Sequence, residues 1–252
     1  MKDLLQVKNR RYMVTGAASG IGRATALLLS EVGAKVLLVD INEESLQKVQ
    51  IECQGETDTL VLDLTDANAI KGAVKEKVVT FGKLNGFVHC AGIPYIAPLK
   101  VVNPEKTERL YKLNTYAAIE LAKVCSSKQV YAGESGSFVL ISSVYGIVGS
   151  AANVGYAMSK GAIVAITKSL AMELVGNGIR VNCVAPGFIK TPMAKKVDGM
   201  MDESYDERLN ALHPMGLGKS EDIANAILFL FSDMSSWMTG AVLNVDGGFT
   251  AQ

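Results

Sequence analysis

The sequence has few of the residues that build metal and disulfide sites. Its 252 residues include 2 histidines and 4 cysteines, and the cysteines are far apart with no CxxC spacing. Two histidines are too few for a histidine-rich metal site, and isolated cysteines in mostly apolar segments favour free thiols over disulfides. We therefore expect no metal and a reducing, cytoplasmic compartment.

The sequence also lacks an excess of charge and any long apolar run. Lys plus Arg and Asp plus Glu each total 25, which gives a net charge of zero. Without a basic cluster, neither nucleic acid nor an anionic membrane surface is favoured as a partner. Charges at Lys2, Asp3 and Lys8 leave no apolar core for a signal peptide, and no uncharged run is long enough to span a bilayer. The expected partner is a small molecule.

What the sequence does contain is a regular alternation of apolar runs and helical patterns. The runs are RRYMVTG, AKVLLVD, DTLVLDL, LNGFVHCAG, GSFVLISS, IRVNCVAPG and AVLNVDGG. Stretches such as VLLV lack in/out alternation, which is typical of strands covered on both faces. Repeated strand–helix units predict a single α/β domain over residues 1–252, a doubly wound Rossmann-type fold. We expect a parallel sheet of about seven strands with helices on both faces.

One segment interrupts this alternation. Residues 187–219 are rich in Met, Lys and Asp and have no strong period. Connections this long are usually functional or mobile, and this one follows the carboxyl end of a strand, where open α/β sheets bind ligands. We predict a substrate lid containing short helices.

A glycine-rich turn follows the first apolar run. Residues 15–22 are TGAASGIG, and the helical pattern ATALLLSEVG comes next. Glycines let a phosphate approach main-chain N–H groups, and the start of a helix adds partial positive charge. Gly16, Gly20 and Gly22 form a variant of the dinucleotide fingerprint, although such a turn can also be merely structural. Its place inside a strand–helix–strand unit predicts a nucleotide site.

Asp40 ends the second apolar run, at the distance from the glycine turn expected of a ribose-binding acid. A carboxylate accepts hydrogen bonds from ribose hydroxyls and repels a 2′-phosphate, by roughly 1 to 4 kcal/mol for charges about 4 Å apart. Ser19, Ile41 and Asn42 bring no compensating cation. NAD(H) is therefore predicted over NADP(H). The alternative is that Asp40 caps the following helix.

The third apolar run ends in Asp63 and Leu64. Asp63 has the chemistry to accept a hydrogen bond from the adenine amino group. An aspartate that opens a turn is an equally good interpretation, and the sequence leaves both open.

Tyr156 and Lys160 lie four positions apart in NVGYAMSKGAI. If residues 157–175 are helical, with Tyr156 in or just before the first turn, the two side chains share a face. A phenol titrates near 10, so its pKa must fall by about three units, or roughly 4 kcal/mol, before it serves as a base near neutrality. An ammonium about 4 Å away supplies energy of that order. Ser142 and Ser143 end the preceding strand, where a serine hydroxyl is placed to face the same ligand as Tyr156. The alternative is that the two serines only form a turn.

These motifs together resemble those of the short-chain dehydrogenases/reductases. The resemblance covers nearly the whole chain through TGAASGIG, Asp40, DL at 63–64, AG at 91–92, Asn114 in KLNTY, ISS at 141–143, YAMSK at 156–160, IRVNCVAPG at 179–187 and NVDGG. It implies an NAD(P)(H)-dependent enzyme that interconverts a secondary alcohol and a ketone. Hydride passes between nicotinamide and the carbinol carbon while a side chain gives or takes a proton.

The resemblance also implies the roles of individual residues. Tyr156 would be the acid/base, Lys160 would lower its pKa and bind the nicotinamide ribose, and Ser143 would polarise the substrate oxygen. Asn114 would hold a water that links Lys160 to solvent. The implied cofactor-binding residues are Gly16, Ser19, Gly20, Ile21, Gly22, Asp40, Ile41, Asp63, Leu64, Cys90, Ala91, Gly92, Tyr156, Lys160, Pro186, Gly187, Ile189 and Thr191.

The sequence departs from the family pattern after the fourth apolar run. The family usually has Asn-Asn-Ala-Gly there, and this chain has His89-Cys90-Ala91-Gly92. We expect a local rearrangement without loss of activity, and a structural role for His89.

Within the family, the chain most resembles the 3-oxoacyl-[acyl-carrier-protein] reductases. Those enzymes generally use NADPH, whereas Asp40 predicts NAD, and no obvious cationic patch would receive an acidic carrier protein. A polyol, sugar or hydroxysteroid dehydrogenase is the alternative, and a non-catalytic NAD(H) sensor is disfavoured by the intact Asn-Ser-Tyr-Lys set. Specificity is expected from the lid and from Ile93, Tyr95, Val144 and Tyr145.

The resemblance further implies a homotetramer or homodimer. The helix after Tyr156, GAIVAITKSLAMEL, is apolar around more than one face, as expected where a second subunit packs. Burial inside one subunit would give the same pattern.

Overall fold

A seven-stranded parallel sheet forms the centre of the computed structural model, which describes residues 5–191 and 209–251. The strands are β1 (Arg11–Thr15), β2 (Lys35–Asp40), β3 (Thr57–Val61), β4 (Gly86–His89), β5 (Gly136–Ile141), β6 (Ile179–Pro186) and β7 (Val242–Val245). Their order is β3-β2-β1-β4-β5-β6-β7, and every neighbouring pair is parallel. The predicted doubly wound α/β fold is confirmed.

Seven α-helices of the described chain connect or flank these strands. They are α1 (Gly20–Glu31), α2 (Glu43–Glu52), α3 (Ala67–Phe81), α4 (Pro104–Tyr111), α5 (Ala117–Cys125), α6 (Val154–Leu174) and α7 (Ser220–Phe231). None of the helices in the described ranges is long and apolar enough to cross a membrane.

The two faces of the sheet bury separate cores, which explains why the strands lack in/out alternation. Phe87 and Phe138 point to one face, where their rings lie 4.6 Å apart at the centroids and pack with α3, α5 and α6. Tyr12 points to the other face and stacks on Phe231 of α7 at 4.2 Å. Each fully buried side chain of this size stabilises the fold by about 1.5 to 3 kcal/mol.

The strand order places the site. β1 is paired with β2 on one side and β4 on the other, so the winding reverses between β3 and β4. In open α/β sheets, ligands bind outside the carboxyl ends of the strands at such a reversal. The β1–α1 turn and the ends of β4, β5 and β6 meet at this edge.

The helical segment that begins at Pro104 is divided. Residues Lys112–Tyr116 form a π-helical turn between α4 and α5. Apolar periodicity does not reveal this turn, because a single extra residue changes the hydrogen-bond register without erasing the helical pattern.

Most of the predicted lid, residues 192–208, lies outside the described residues. The two ends of the 187–219 segment are paired: Lys190 N donates to Gly218 O and Gly218 N donates to Phe188 O, both at 3.0 Å. These bonds hold the base of the segment against the carboxyl end of β6.

Candidate active site

The glycine turn after β1 is packed too closely for larger residues. A Cβ on Gly22 would overlap the Gly16 carbonyl, and a Cβ on Gly16, whose φ is +66°, would lie 2.8 Å from Ala91 N. Gly20 also has positive φ, and the Thr191 methyl lies 3.5 Å from where its Cβ would be. The turn therefore brings main chain, rather than side chains, to the edge of the cleft.

The first turn of α1 supplies the donors that a pyrophosphate requires. α1 begins at Gly20 after Ser19, and a helix leaves its first four N–H groups without intrahelical partners. Ile21 lines the neighbouring cleft. The glycine turn and the helix start together fit a dinucleotide.

Asp40 lies beside this turn at the end of β2. Its carboxylate accepts hydrogen bonds from Ala18 N at 3.1 Å and from Asn42 N at 3.0 Å. The helix-capping interpretation of Asp40 is wrong, because the side chain of Asn42 caps α2 through Ser45 N at 2.9 Å. No Lys or Arg within the described ranges forms an ion pair with Asp40. Ile41 is exposed beside it.

Asp63 serves as a turn former in the structure. Its carboxylate accepts from both the amide and the hydroxyl of Thr65, each at 2.8 Å. These two hydrogen bonds lower the pKa of Asp63. Leu64 is buried in the core behind it. A contact between Asp63 and adenine stays a prediction.

Tyr156 lies in the first turn of α6, which begins at Val154, so the predicted position of Tyr156 at the start of this helix is confirmed. Burial raises the pKa of Tyr156 to about 12, and a hydrogen bond with the Ser143 side chain acts in the opposite direction. Ser143 follows β5 and also accepts from Tyr145 N at 3.2 Å. The strand end and the helix thus bring the two hydroxyls together, as predicted.

Lys160 is 6% exposed and its Nζ donates to the Ile141 carbonyl at 2.8 Å. Nζ lies 5.9 Å from the centroid of the Tyr156 ring. Burial lowers the pKa of Lys160 to about 8, and the nearby Cys183 and Cys90 raise it. The net shift of the Tyr156 pKa is upward, opposite to the fall that the spacing of Tyr156 and Lys160 predicted. Desolvation of the phenol is the largest cause of this shift.

Asn114 lies in the π-turn and is fully buried. Its Oδ1 accepts from Ile93 N at 2.9 Å, and its Nδ2 donates to Ile93 O at 3.1 Å and to Ser159 Oγ at 3.2 Å. A Cβ atom on Gly92 would lie 3.1 Å from Asn114 Oδ1 and 3.7 Å from Lys160 Nζ. The asparagine amide and the lysine ammonium therefore converge beside Gly92.

These groups border a cleft of about 160 Å³ whose walls are mainly apolar. The predicted residues that line it are Ile21, Cys90, Gly92, Ile93, Tyr95, Ser143, Val144, Tyr145, Tyr156, Lys160, Pro186, Gly187, Ile189 and Thr191. The other predicted site residues lie outside the lining, namely Gly16, Ser19, Gly20, Gly22, Asp40, Ile41, Asp63, Leu64, Ala91 and Asn114. Asn114 is fully buried, and Asp40 ends β2 while Asp63 follows β3, away from β5 and β6 in the strand order.

The sequence patterns did not single out three aromatic residues near the cleft, although two of them, Phe188 and His213, lie within the predicted 187–219 lid. Phe188 and Phe249 both contact Tyr145, at 6.0 and 6.1 Å between ring centroids, and His213 lies 5.0 Å from Phe249. His213 Nε2 accepts from Phe188 N at 3.1 Å. The residues are separated by long stretches of chain, so only the fold joins them.

Comparison with known proteins decides the family. A family model described as enoyl-(acyl-carrier-protein) reductase matches residues 16–250. A 3-oxoacyl-[acyl-carrier-protein] reductase of Thermotoga maritima is 38% identical over 248 residues, which cover 97% of this chain and 99% of that protein. The chain belongs to the short-chain dehydrogenase/reductase family.

Other members of the family differ in substrate. A cyclopentanol dehydrogenase of Comamonas sp. is 34% identical over 98% of this chain and 99% of its own length. A protein assigned as an NAD(P)-dependent gluconate 5-dehydrogenase of Beutenbergia cavernae, solved with NADP at low occupancy, is 31% identical with a TM-score of 0.92 over 99% of this chain and 100% of its own. The short-chain dehydrogenase/reductase described here is thus an oxidoreductase that uses NAD(P)(H) and acts on CH–OH or carbonyl groups.

Proposed function

We propose that the protein is an NAD(H)-dependent oxidoreductase that interconverts a secondary alcohol and a ketone in the cleft beside Tyr156. The observation that carries the proposal is the pairing of the Tyr156 and Ser143 hydroxyls at the floor of an apolar cleft, with Lys160 behind them. The glycine turn and α1 open onto the same cleft.

In this mechanism, Tyr156 moves the proton and Ser143 holds the substrate oxygen. When bound, the nicotinamide supplies or accepts the hydride. In ketone reduction, the Tyr156 hydroxyl gives its proton to the carbonyl oxygen as that oxygen gains charge, while the Ser143 hydroxyl donates a second hydrogen bond. Because burial raises the pKa of Tyr156 to about 12, the phenol is protonated at neutral pH and ready to act as the acid.

In alcohol oxidation these roles are reversed. The alcohol gives its O–H proton to the Tyr156 oxygen, and the Lys160 ammonium stabilises the phenolate that accepts it. Hydrogen bonds to the Ile93 backbone hold the side-chain amide of Asn114 beside Lys160. We propose that it serves the proton path between Lys160 and solvent.

The preference for NAD(H) rests on Asp40. Its carboxylate lies beside the glycine turn without a cationic partner in the described chain. Repulsion of a 2′-phosphate by roughly 1 to 4 kcal/mol corresponds to about five- to a thousandfold in affinity.

A 3-oxoacyl thioester of an acyl carrier protein is the first substrate candidate. The high identity to a reductase of that name supports it, and the apolar walls of the cleft suit an acyl chain. A small neutral cyclic alcohol is the second candidate. It is favoured because Lys160 is the only cation among the described residues that line the cleft, so nothing described there attracts an acidic carrier.

We propose further that residues 1–252 form one domain, that 187–219 is the substrate lid, and that the protein assembles as a homotetramer or homodimer. The exposed apolar side chains of α6, with Met172 75% exposed and Val175 51% exposed just after it, support assembly. The free cysteines are consistent with a reducing cytoplasm.

Turnover of a substrate panel tests this function. NADH oxidation is followed with acetoacetyl thioesters and with cyclopentanone, and NAD reduction with cyclopentanol and polyols, using wild type and Tyr156→Phe. We expect wild type to turn over one class at least about a hundredfold faster than the variant. Binding of NADH without turnover of any member beyond the Tyr156→Phe rate would instead support the NAD(H) sensor.

A further inference from the structure

His89 ends β4 and is 2% exposed, yet both of its ring nitrogens have partners. Nδ1 lies 3.0 Å from Thr15 Oγ1, and Nε2 lies 3.0 Å from the Leu113 carbonyl oxygen. Because a carbonyl only accepts hydrogen bonds, Nε2 carries the proton and Nδ1 accepts from the threonine hydroxyl. Burial, reinforced by the charge of Lys160, lowers the pKa of His89 to about 4, which keeps the ring neutral.

The hydrogen bonds around His89 form one directed series. Ala91 N donates to Thr15 Oγ1 at 3.3 Å, the Thr15 hydroxyl donates to Nδ1 of His89, and Nε2 donates to Leu113 O. Each donor in the series has one acceptor, so neither the hydroxyl rotor nor the tautomer is free to change. The series joins the Ala91 segment, which borders the cleft, to the π-turn.

The π-turn creates the need for such a donor. In an α-helix, the Ala117 amide would donate to the carbonyl of Leu113, four residues earlier. Here it donates to Lys112, five residues earlier. The Leu113 carbonyl belongs to a partly buried residue packed against the core and accepts from His89. A hydrogen bond lost at a carbonyl that is shielded from water is costly, so the His89 contact favours the π-turn over a continuous helix.

The π-turn in turn decides where Asn114 points. Asn114 follows Leu113 directly, and its amide is directed at Ile93 and Ser159 beside Lys160. A return to α-helical register would rotate Asn114 by a large part of a turn about the helix axis. The orientation of the asparagine therefore depends on the carbonyl that precedes it.

We propose that His89 is a positioning residue, whose Nε2–H holds the Lys112–Tyr116 π-turn and thereby orients Asn114 beside Lys160. The inference rests on the proposed function only in that Asn114 and Lys160 serve the reaction. His89 itself touches neither cofactor nor substrate in this scheme.

Two substitutions of equal side-chain length test the Nε2 donor. The amide nitrogen of a glutamine reaches the position of Nε2, and methionine matches glutamine in length but has no donor. We expect His89→Gln to retain the hydrogen bond to Leu113 O and to keep kcat within about threefold of wild type. His89→Met should lower kcat by about tenfold or more while the Kd for NADH stays within about threefold.

Amide hydrogen exchange of residues 112–118, measured on the protein alone, provides a readout that does not need turnover. Exchange there should be about tenfold faster in His89→Met than in wild type or His89→Gln, with the amides of α6 unchanged. Should His89→Met fail to fold, His89→Leu replaces it, because Leu also lacks the donor. Wild-type exchange at 112–118 in the donor-free variant, or equal loss of kcat in the Gln variant and the donor-free variant, would overturn the proposal.

This design also distinguishes the inference from the proposed function. If wild type turns over no substrate in the panel, the function fails while the exchange experiment still reports on His89. If turnover is found and exchange is the same in all variants, the function stands and the role of His89 fails.

Discussion

The Ser142 hydroxyl donates a hydrogen bond to the carbonyl oxygen of Lys160 at 2.7 Å. This bond joins the carboxyl end of β5 to α6 one turn after Tyr156, in a region where Ser142 is buried. Ser143, the next residue, faces Tyr156 instead. Two adjacent serines therefore have separate tasks, one in holding the helix and one in contacting the reacting oxygen.

Substitution of each serine should reveal this division. Ser143→Ala removes a donor to the substrate oxygen, so kcat should fall by about a hundred- to a thousandfold with little change in the free energy of unfolding. Ser142→Ala removes a buried hydrogen bond to the Lys160 carbonyl and should cost about 0.5 to 1.5 kcal/mol of stability. Steady-state kinetics and urea denaturation of both variants measure the two effects. Equal kinetic loss in both variants would contradict the assignment.

The pH dependence should differ between the two directions. Because the pKa of Tyr156 is raised to about 12, the phenol stays protonated through pH 6 to 9, and ketone reduction should show no loss attributable to this group. Alcohol oxidation needs the phenolate, so its kcat/KM should rise with pH across that range. Below about pH 8, where Lys160 is charged, Lys160→Met should lower kcat/KM for oxidation, because it removes the charge that stabilises the phenolate. A flat profile for oxidation would contradict the role of Tyr156.

Burial of Lys160 should also affect stability. Its pKa is lowered to about 8, below the value near 10.4 of an unfolded lysine, so the unfolded chain binds more protons between these two values. The contribution of this group to the free energy of unfolding should therefore rise with pH from about 8 to 10 and be absent in Lys160→Met. Urea denaturation of both proteins at pH 7.5, 8.5 and 9.5 checks the difference in slope. If the free energy of unfolding varies with pH in parallel for the two proteins, Lys160 is not desolvated.

Cofactor choice should depend on the charge of Asp40. Asp40→Asn keeps an oxygen that accepts from Ala18 N but removes the negative charge, so the ratio of NADPH to NADH affinity should rise by about five- to a thousandfold. Titration of reduced-cofactor fluorescence gives both Kd values. Asp58→Asn, in β3 and paired with Lys77, is the matched control and should leave the ratio unchanged. Tight NADPH binding by wild type would remove the role given to Asp40.

The glycine turn should not accept a methyl group. Gly22→Ala forces the new Cβ against the Gly16 carbonyl, so it should destabilise the protein by about 1 to 3 kcal/mol and weaken NADH binding about tenfold or more. Gly72→Ala is the control, because its Cβ would meet nothing within 4 Å in the middle of α3. The free energy of unfolding of Gly72→Ala should rise by about 0.5 to 1 kcal/mol, and this variant should bind NADH with wild-type affinity. Thermal unfolding and NADH titration distinguish the two.

Local patterns predicted most of the fold. Runs such as VLLV indicated strands buried on both faces, and the structure buries them between two cores. The positions of Tyr156 and Lys160 on one helix face, and of Ser143 at a strand end, also followed from sequence spacing. These predictions succeeded because helix and strand periods fix side-chain direction over a few residues.

Other features depended on contacts between distant parts of the chain. Whether Asp40 caps a helix was undecided until the structure gave that position to Asn42. The packing of Tyr145 against Phe188 and Phe249 could not be predicted, because no short motif joins residues 43 and 104 positions apart. The pKa of Tyr156 was predicted in the wrong direction, since burial depends on what covers the phenol and not on its distance from Lys160 along the helix.

The sequence by itself determined the order of strands and helices along the chain and the glycine turn, because each is encoded within a few neighbouring residues. Only the tertiary structure decided how β4 meets the π-turn, so that His89 bonds to Leu113 and Asn114 points at Ile93. The physical reason is that a π-turn is rare within a helix. Partners outside the helix, such as the buried His89, offset the cost of the changed hydrogen-bond register.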